Sequence, residues 1–179
     1  ARATAEELKA ELALVNEMLE IAEAYARKPD ARVRWLADFI GKHMKNGRSW
    51  GERRLIIFTE FEDTRRWLMT RLLEATGEEE GSGRIRAFTG ATPGPTREEL
   101  KRAFNAPPAD DPLRILVCTD AAREGINLQR RCHDLVHFDL PWNPSRIEQR
   151  NGRIDRKLQP EPRVFCRYFV YEQREIDVV

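Results

Sequence analysis

The chain has 179 residues, of which 41% are hydrophobic and 34% are charged, and its formal net charge at pH 7 is +1. This length suits one ordinary domain with its own core, and so small a net charge gives no compositional argument for nucleic-acid binding. The three cysteines form no C-x-x-C pair, which argues against a disulfide framework and a zinc site. Without a signal peptide or an apolar run near the roughly 20 residues of a membrane helix, we expect a soluble, cytoplasmic protein with no membrane partner.

The first clearly periodic segment is residues 4–27, where a capping box and apolar residues at spacings of three and four predict a long N-terminal helix. We interpret residues 1–29 as a helical lead-in or linker, with a partner-docking element as the alternative. A second helix is predicted from about Asp30, with Gly47 as its end. Its apolar face holds Val33, Leu36, Ile40 and Met44.

Beyond these helices, apolar strands alternate with helical segments. The predicted strands are 54–58, 84–88, 114–120, 134–139 and 164–171. The predicted helices are 63–75, one capped by Thr96 with Glu99, and one in 141–158 capped either by Asn143 or by Ser145 with Glu148. Continuous apolar strands between helices indicate an α/β fold, with a parallel sheet covered by helices on both faces. We assign residues 30–179 to this domain.

Polar residues follow the first three strands at their carboxyl ends. They are Thr59, then Thr89 with Gly90, then Thr119 with Asp120. Ligands of such sheets bind beyond the carboxyl ends of the strands, so these positions are candidate ligand contacts. Turn chemistry alone, including an aspartate that caps a helical turn, would give the same pattern, and that alternative stays open.

The segment "EQRNGRIDR" (148–156) contains three arginines and one glycine. On a continuous helix, Gln149, Arg153 and Arg156 share one face, and a row of guanidinium groups suits phosphate oxygens. A solvated charged face is the alternative. Arg150 lies off this face and its role is left open, while Gly152 is predicted to let a ligand or another backbone approach closely.

Two further observations restrict the chemistry. The chain contains neither G-x-x-x-x-G-K-[ST] nor an acidic D-E-x-x box, so its arginines form only half of a nucleotide site. No histidine has the spacing of a metal ligand or of a hydrolytic triad, and we predict no metal site. Trp142 is interpreted as a packing anchor, with a base-stacking platform as the less favoured alternative.

Taken in order, four segments resemble the C-terminal RecA-like lobe of superfamily 2 helicases of the Snf2-like group. Residues 55–68 resemble motif IV, 88–105 the segment before motif V, 115–129 motif V, and 138–156 motif VI with its "DLPWNP" lead-in. Within this group, the motif sequences are most similar to those of bacterial RNA-polymerase-associated and phage-defence members. One departure is Lys157-Leu158-Gln159, where many Snf2 members have Ile-Gly-Gln, and members usually continue into a further helix after the last strand.

The resemblance implies a RecA-like fold and an ATP-dependent translocase or helicase that acts on duplex DNA. It implies that ATP and Mg²⁺ are held mainly by an N-terminal RecA-like lobe, in cis or in a split partner, so that this chain alone is inactive. An RNA helicase lobe and a degenerate binding or scaffold module are the alternatives.

The resemblance also implies roles for single residues. Arg153 and Arg156 match the catalytic arginine fingers of motif VI. The matched ATP contacts are Gln149, Gly125, Asn127 and Glu124. The nucleic-acid contacts are Thr59 and Thr119, with Thr89 and Gly90 as further candidates.

Overall fold

A computed structural model describes residues 4–26, 30–120 and 127–170. The chain divides into two compact units after Ala31. The first contains helix α1 (Ala5–Ala26), which confirms the predicted N-terminal helix. Its capping box is also confirmed, because the Thr4 amide donates to Glu7 Oε2 at 2.7 Å and the Glu7 amide donates back to Thr4 Oγ1 at 3.3 Å. Within the described ranges, no helix combines the length and apolar composition that crossing a membrane requires.

Among the described residues, the second unit contains four helices, a short hairpin and a five-stranded sheet. The helices are α2 (Ala31–His43), α3 (Glu62–Thr76), α4 (Gly94–Asn105) and α5 (Pro144–Asn151). The hairpin pairs β1 (Lys45–Asn46) with β2 (Ser49–Trp50). The main sheet consists of β3 (Leu55–Thr59), β4 (Ile85–Phe88), β5 (Ile115–Thr119), β6 (Asp134–His137) and β7 (Phe165–Tyr168).

The main sheet is parallel throughout, in the order β4-β5-β3-β6-β7. All residues of β3, β5 and β6 are buried, as expected for strands covered on both faces. The register places Thr59 beside Thr119 at the carboxyl ends of β3 and β5. The sheet therefore collects the ends of its central strands at one edge, as the sequence pattern predicts.

Two apolar clusters cover the faces of the sheet and confirm the predicted three-layer arrangement. On one face, Leu100 and Phe104 of α4 pack with Ile56, Phe58 and Leu116. On the other face, α2 and α3 pack against the alternate strand residues. That cluster includes Leu36, Ile40, Leu68, Leu72, Ile57 and Val117. Alternation of side chains along each strand explains why neighbouring residues enter different clusters.

Two predicted helix boundaries are wrong: the end of α2 and the start of α4. Helix α2 ends at His43, and Gly47 instead lies in the hairpin turn with φ of +63°, a conformation that glycine adopts without strain. Helix α4 begins at Gly94 after Pro93, and no side chain caps it. Thr96 is already inside the first turn, and Glu99 pairs with Arg86 at 2.9 Å instead of closing a capping box.

The helix predicted within 141–158 is also too long, since α5 ends at Asn151. The chain then continues in tight turns, and the Gln159 side chain donates to the Ile154 carbonyl oxygen at 2.9 Å, an acceptor that a continued helix would have used. Ile154 is buried as predicted. Leu158, predicted on the same packed face, is 90% exposed.

Candidate functional site

Helix α5 begins directly beyond β6, and its start follows from local chemistry. The Asn143 side chain accepts a hydrogen bond from the Ser145 amide at 3.0 Å, and Pro144 occupies the first helical position. This confirms the Asn143 cap over the alternative with Ser145 and Glu148. The helix therefore starts at the carboxyl-end edge of the main sheet, where the sequence predicts ligand contacts.

Arg150, whose role the sequence left open, is an internal anchor. Its side chain is 2% exposed, and Nε and Nη2 donate to Asp120 Oδ1 and Oδ2 at 2.7 and 2.9 Å. Nη1 donates to the Asp139 carbonyl oxygen at 2.8 Å. A guanidinium removed from water needs such partners, and here they lie after two different strands. Arg150 thus ties α5 to the ends of β5 and β6.

The carboxyl end of β3 joins the same network. The Thr59 hydroxyl donates to the Asp139 carboxylate, and the Glu60 amide donates to Asp139 Oδ1 at 2.8 Å. Arg146 of α5 donates to Glu60 Oε1 at 2.6 Å. Thr59 and Thr119 are both buried. The predicted contact of these two threonines with nucleic acid stays a prediction, and in this arrangement the Thr59 hydroxyl faces protein.

His137 completes the network from β6, although the sequence assigned it no role. Its Nε2 lies 2.8 Å from Asn151 Oδ1 and its Nδ1 lies 3.4 Å from Arg150 Nη1. Since a guanidinium only donates, Nδ1 accepts, and Nε2 carries the proton that is donated to Asn151. Burial lowers the pKa of His137, and the positive charge of Arg150 lowers it further. No motif spacing indicates this contact between a strand and a helix.

The two arginines matched to fingers lie after α5, so they are not part of a continuous helical stripe. Arg153 is half-buried, and burial followed by the positive charge of Arg156 lowers its pKa. Arg156 is exposed and donates to the Asn127 side-chain oxygen. The structure therefore brings Arg153, Arg156 and Asn127 together. An anion placed near these guanidinium groups would relieve their mutual repulsion.

Gln149 is exposed on α5 and shares a small pocket with Arg153. The pocket is lined by Phe58, Asp120, Arg146, Gln149, Arg150 and Arg153. It therefore connects the buried anchor with one of the two finger candidates. Glu124 and Gly125, the other predicted ATP contacts, lie outside the described residues.

Thr89 and Gly90 lie after the edge strand β4 and make bonds within their own turn. The Thr89 amide donates to Thr92 Oγ1 at 2.9 Å, and the Gly90 carbonyl oxygen accepts from Arg97 at 2.6 Å. Gly90 is exposed, whereas Thr89 is partly buried. Their contact with nucleic acid stays a prediction.

The sequence interpretations of Gly152 and Trp142 have different outcomes. A Cβ atom at Gly152 would lie 3.2 Å from the Glu148 carbonyl oxygen, so the preceding turn already restricts a side chain there. The prediction that Gly152 lets a ligand or another backbone approach closely stays a prediction. The packing-anchor interpretation of Trp142 is wrong, because this side chain is 89% exposed while the preceding Pro141 is buried.

A comparison with known protein families shows the family to which this chain is related. Residues 31–157 match the family described as "Helicase conserved C-terminal domain". The chain belongs to this family. The match runs from α2 to just beyond α5, so it contains four of the five strands of the main sheet and both finger candidates. It confirms the resemblance on which the residue assignments were based.

Relatives of this helicase C-terminal domain are much longer proteins. The chain is 36% identical over 103 residues to "Uncharacterized ATP-dependent helicase YqhH" of Bacillus subtilis, an alignment covering 58% of this chain and 16% of that protein. It is 49% identical over 47 residues to "RNA polymerase-associated protein RapA" of Yersinia enterocolitica, covering 26% of this chain and 5% of that protein. The chain thus corresponds to a small part of each relative.

Solved structures support the same fold. The C-terminal part of the Fun30 ATPase domain is similar with a TM-score of 0.65 and 18% identity, over 80% of this chain and 42% of that one. Domain 2 of the DEAD-box helicase Mss116p, bound to an RNA duplex, is similar with a TM-score of 0.59 and 21% identity, over 77% and 49% of the two chains. At such identities the likeness concerns the RecA-like fold.

Proposed function

We propose that this lobe is the second motor lobe of an ATP-driven translocase on duplex DNA, with Arg153 and Arg156 as its arginine fingers. One observation carries the proposal. Two neighbouring guanidinium groups follow a helix that a buried arginine anchors to the sheet, and one of them lowers the pKa of the other. Such positive charge, held on a fixed support, suits the negative charge that develops in phosphoryl transfer.

The residues present fit the triphosphate of ATP. Arg153 and Arg156 would hold phosphate oxygens, and Asn127, whose side chain accepts from Arg156, would orient that second guanidinium. Gln149 offers an exposed amide beside Arg153. Bound ATP with Mg²⁺ supplies the phosphoryl group that is transferred to water. The contribution of this lobe is to place positive charge and to keep it in one position through Arg150.

A partner lobe is required by the same chemistry. The chain contains no Walker A sequence and no acidic D-E-x-x box, which are the elements that cradle phosphates and hold Mg²⁺. We therefore assign these elements to an N-terminal RecA-like lobe, in cis or in a split partner. Closure of the two lobes would bring Arg153 to the phosphates, and this chain alone would not hydrolyse ATP.

Nucleic acid is assigned to the carboxyl-end edge of the main sheet. The candidates are the segments around Thr59, Thr119 and Thr89 with Gly90, together with the exposed Trp142. Duplex DNA is proposed because the "DLPWNP" lead-in to motif VI is of the Snf2-like type. An RNA helicase lobe is the alternative, since the related fold of Mss116p is bound to an RNA duplex.

The decisive experiment is Arg153→Ala in the complete protein. An arginine finger contributes about 10³–10⁵ to the rate of phosphoryl transfer, so we expect DNA-stimulated ATP hydrolysis to fall at least about 10³-fold. Arg66→Ala, which alters an exposed arginine of α3, is the matched control and should keep nearly full activity. Thermal unfolding of both variants shows whether the fold is retained.

Each other result points to a definite alternative. Activity within a few-fold of the unmodified protein in a folded Arg153→Ala variant rejects the finger. Stimulation by RNA and not by duplex DNA favours the RNA helicase lobe. A complete protein that binds nucleic acid but shows no stimulated hydrolysis is a binding or scaffold module.

A further inference from the structure

His137, the last residue of β6, is a buried titratable side chain that the proposed function does not use. It is 1% exposed, and in the register of the parallel sheet it lies beside Phe58 of β3. A polar ring removed from water destabilises the fold unless its nitrogens have hydrogen-bond partners. Both partners are on α5, where Arg150 and Asn151 are the last two residues.

The two contacts of His137 differ in length and direction. Its Nε2 donates to Asn151 Oδ1 at 2.8 Å, and its Nδ1 accepts from Arg150 Nη1 at the longer distance of 3.4 Å. Only a neutral imidazole donates through one nitrogen and accepts through the other. Burial lowers the pKa of His137 and so favours this neutral form. The ring therefore connects the end of a buried strand to the end of the helix.

The turn that carries Arg153 is built on the same two residues at the end of α5. The Arg153 amide donates to the Arg150 carbonyl oxygen at 3.1 Å. The amides of Ile154 and Asp155 donate to the carbonyl oxygen of Asn151, at 3.0 and 2.9 Å. Three backbone hydrogen bonds thus transmit the position of the helix end to the turn, and a displacement of that end displaces Arg153.

A second support holds this turn from the other side. The Leu128 amide donates to the Arg153 carbonyl oxygen at 3.1 Å. Arg150 also keeps its bonds to Asp120 and Asp139 when the imidazole is removed. Loss of the imidazole should therefore displace the Arg153 guanidinium and leave the turn itself in place.

We propose that His137 is a positioning residue for Arg153, which it places by fixing the end of α5 against β6. This inference rests on the proposed role of Arg153 as an arginine finger. A displacement of about 1 Å at a reacting group can lower a rate by about 10²-fold. Because a finger acts on charge that develops in the transition state, its displacement should lower kcat and leave the KM for ATP nearly unchanged.

The first test measures ATP hydrolysis by the complete protein with whichever nucleic acid stimulates it. His137→Phe keeps a ring but removes both contacts, and kcat should fall by between about 10-fold and 100-fold, while the KM for ATP changes by less than about threefold. His137→Gln places an amide N–H near the position of Nε2 and should restore most of kcat. His43→Phe alters an exposed histidine of α2 and is the matched control, which should keep nearly full activity.

Two further variants separate positioning from support of the fold. Asn151→Leu removes the same contact from the side of α5 and should lower kcat to a similar extent, so it also carries the test if His137→Phe does not fold. In an Arg153→Ala background, His137→Phe should change the single-turnover rate by less than about threefold, because the group that it positions is already absent. A residue that only supports the fold would lower the rate by the same factor in both backgrounds.

The outcomes distinguish this inference from the proposed function. If Arg153→Ala loses its activity while folded His137→Phe and Asn151→Leu variants keep theirs, the finger stands and the positioning role is overturned. If Arg153→Ala stays active, the proposed function fails and this inference fails with it. An equal effect of His137→Phe with and without Arg153 overturns action through that residue. A raised KM for ATP with unchanged kcat contradicts an effect on the transition state.

Discussion

The main sheet has a buried aspartate in an ion pair at each of its two edges. At the carboxyl-end edge the arginine partner is buried as well, whereas at the amino-end edge the two arginine partners are partly exposed. The side chains of Arg150 and Asp120 are 2% and 8% exposed. Asp134 is fully buried, but its partners Arg53 and Arg167 remain 27% and 28% exposed. Each of the two ion pairs thus contains a buried carboxylate, but only the pair at the carboxyl-end edge also encloses its cation.

This difference matters for how the neighbouring arginines are held. A guanidinium bound through two nitrogens to one buried carboxylate has a fixed orientation, so Arg150 can fix the end of α5 and with it Arg153. Arg53 and Arg167 share the Asp134 carboxylate and are partly exposed, so each can turn to water when that carboxylate is removed. We expect the Arg150–Asp120 pair to be sensitive to substitution, and the Asp134 cluster to be more tolerant.

The largest effect is expected for Asp120→Ala, which removes the two short bonds from the buried Arg150 and leaves the Asp139 carboxylate, 3.5 Å from Nη2, as its remaining anion. Removing one partner of a buried pair typically costs about 3–5 kcal/mol in the free energy of unfolding. Denaturant titration measures it. The double variant Asp120→Leu with Arg150→Met removes both charges and should be clearly more stable than Asp120→Ala. If the single and double variants are equally destabilised, the pair does not behave as an isolated buried ion pair.

A smaller effect, of about 2 kcal/mol, is expected for Asp134→Asn because Arg53 and Arg167 can rehydrate. Burial alone would raise the pKa of Asp134, but hydrogen bonds from Arg53 and Arg167 outweigh it and lower that pKa. The stabilisation is therefore present above the unfolded value of about 4 and is lost as the pH falls through the lower folded value.

The check is the difference in unfolding free energy between the unmodified protein and Asp134→Asn, measured at neutral pH and again in acid. It should shrink in acid, where Asp134 is protonated and resembles asparagine. A difference that stays constant with pH would mean that packing, not charge, makes Asp134 important, and the contrast between the two edges would lose its electrostatic basis.

The smallest effect on stability is expected at Trp142, which is 89% exposed at the carboxyl-end edge. Trp142→Ala should change the free energy of unfolding by no more than about 0.5 kcal/mol. An unpaired base stacked on this ring would contribute about 1–3 kcal/mol, so binding of a single-stranded oligonucleotide should weaken by about fivefold or more, whereas binding of duplex DNA, whose bases are stacked within the helix, should change less. Trp142→Phe is the matched control that keeps a stacking face. Unchanged binding in Trp142→Ala would remove this residue from the interface.

Local sequence patterns were sufficient to predict the strands and helices of the domain and to assign its helicase motifs. The apolar runs at β3, β5 and β6 predict buried parallel strands because period and β-branched content are local properties. The cap at Asn143 was also predictable, since its partner Ser145 is two residues away. The end of α5 was not predictable in the same way, since the Gln159 amide there also binds the carbonyl oxygen of Cys132, 27 positions away.

The sequence by itself determined the alternating strands and helices, the arginine-bearing motif and the absence of a phosphate-cradling loop. Only the tertiary structure decided the strand order, the burial of Arg150 and the exposure of Leu158. Arg150 and Asp120 are 30 positions apart, and no spacing rule joins them. Whether a charged or apolar side chain is buried depends on what the sheet brings beside it. For this reason three arginines of one short segment fall into three environments: one enclosed, one half-buried and one open to water.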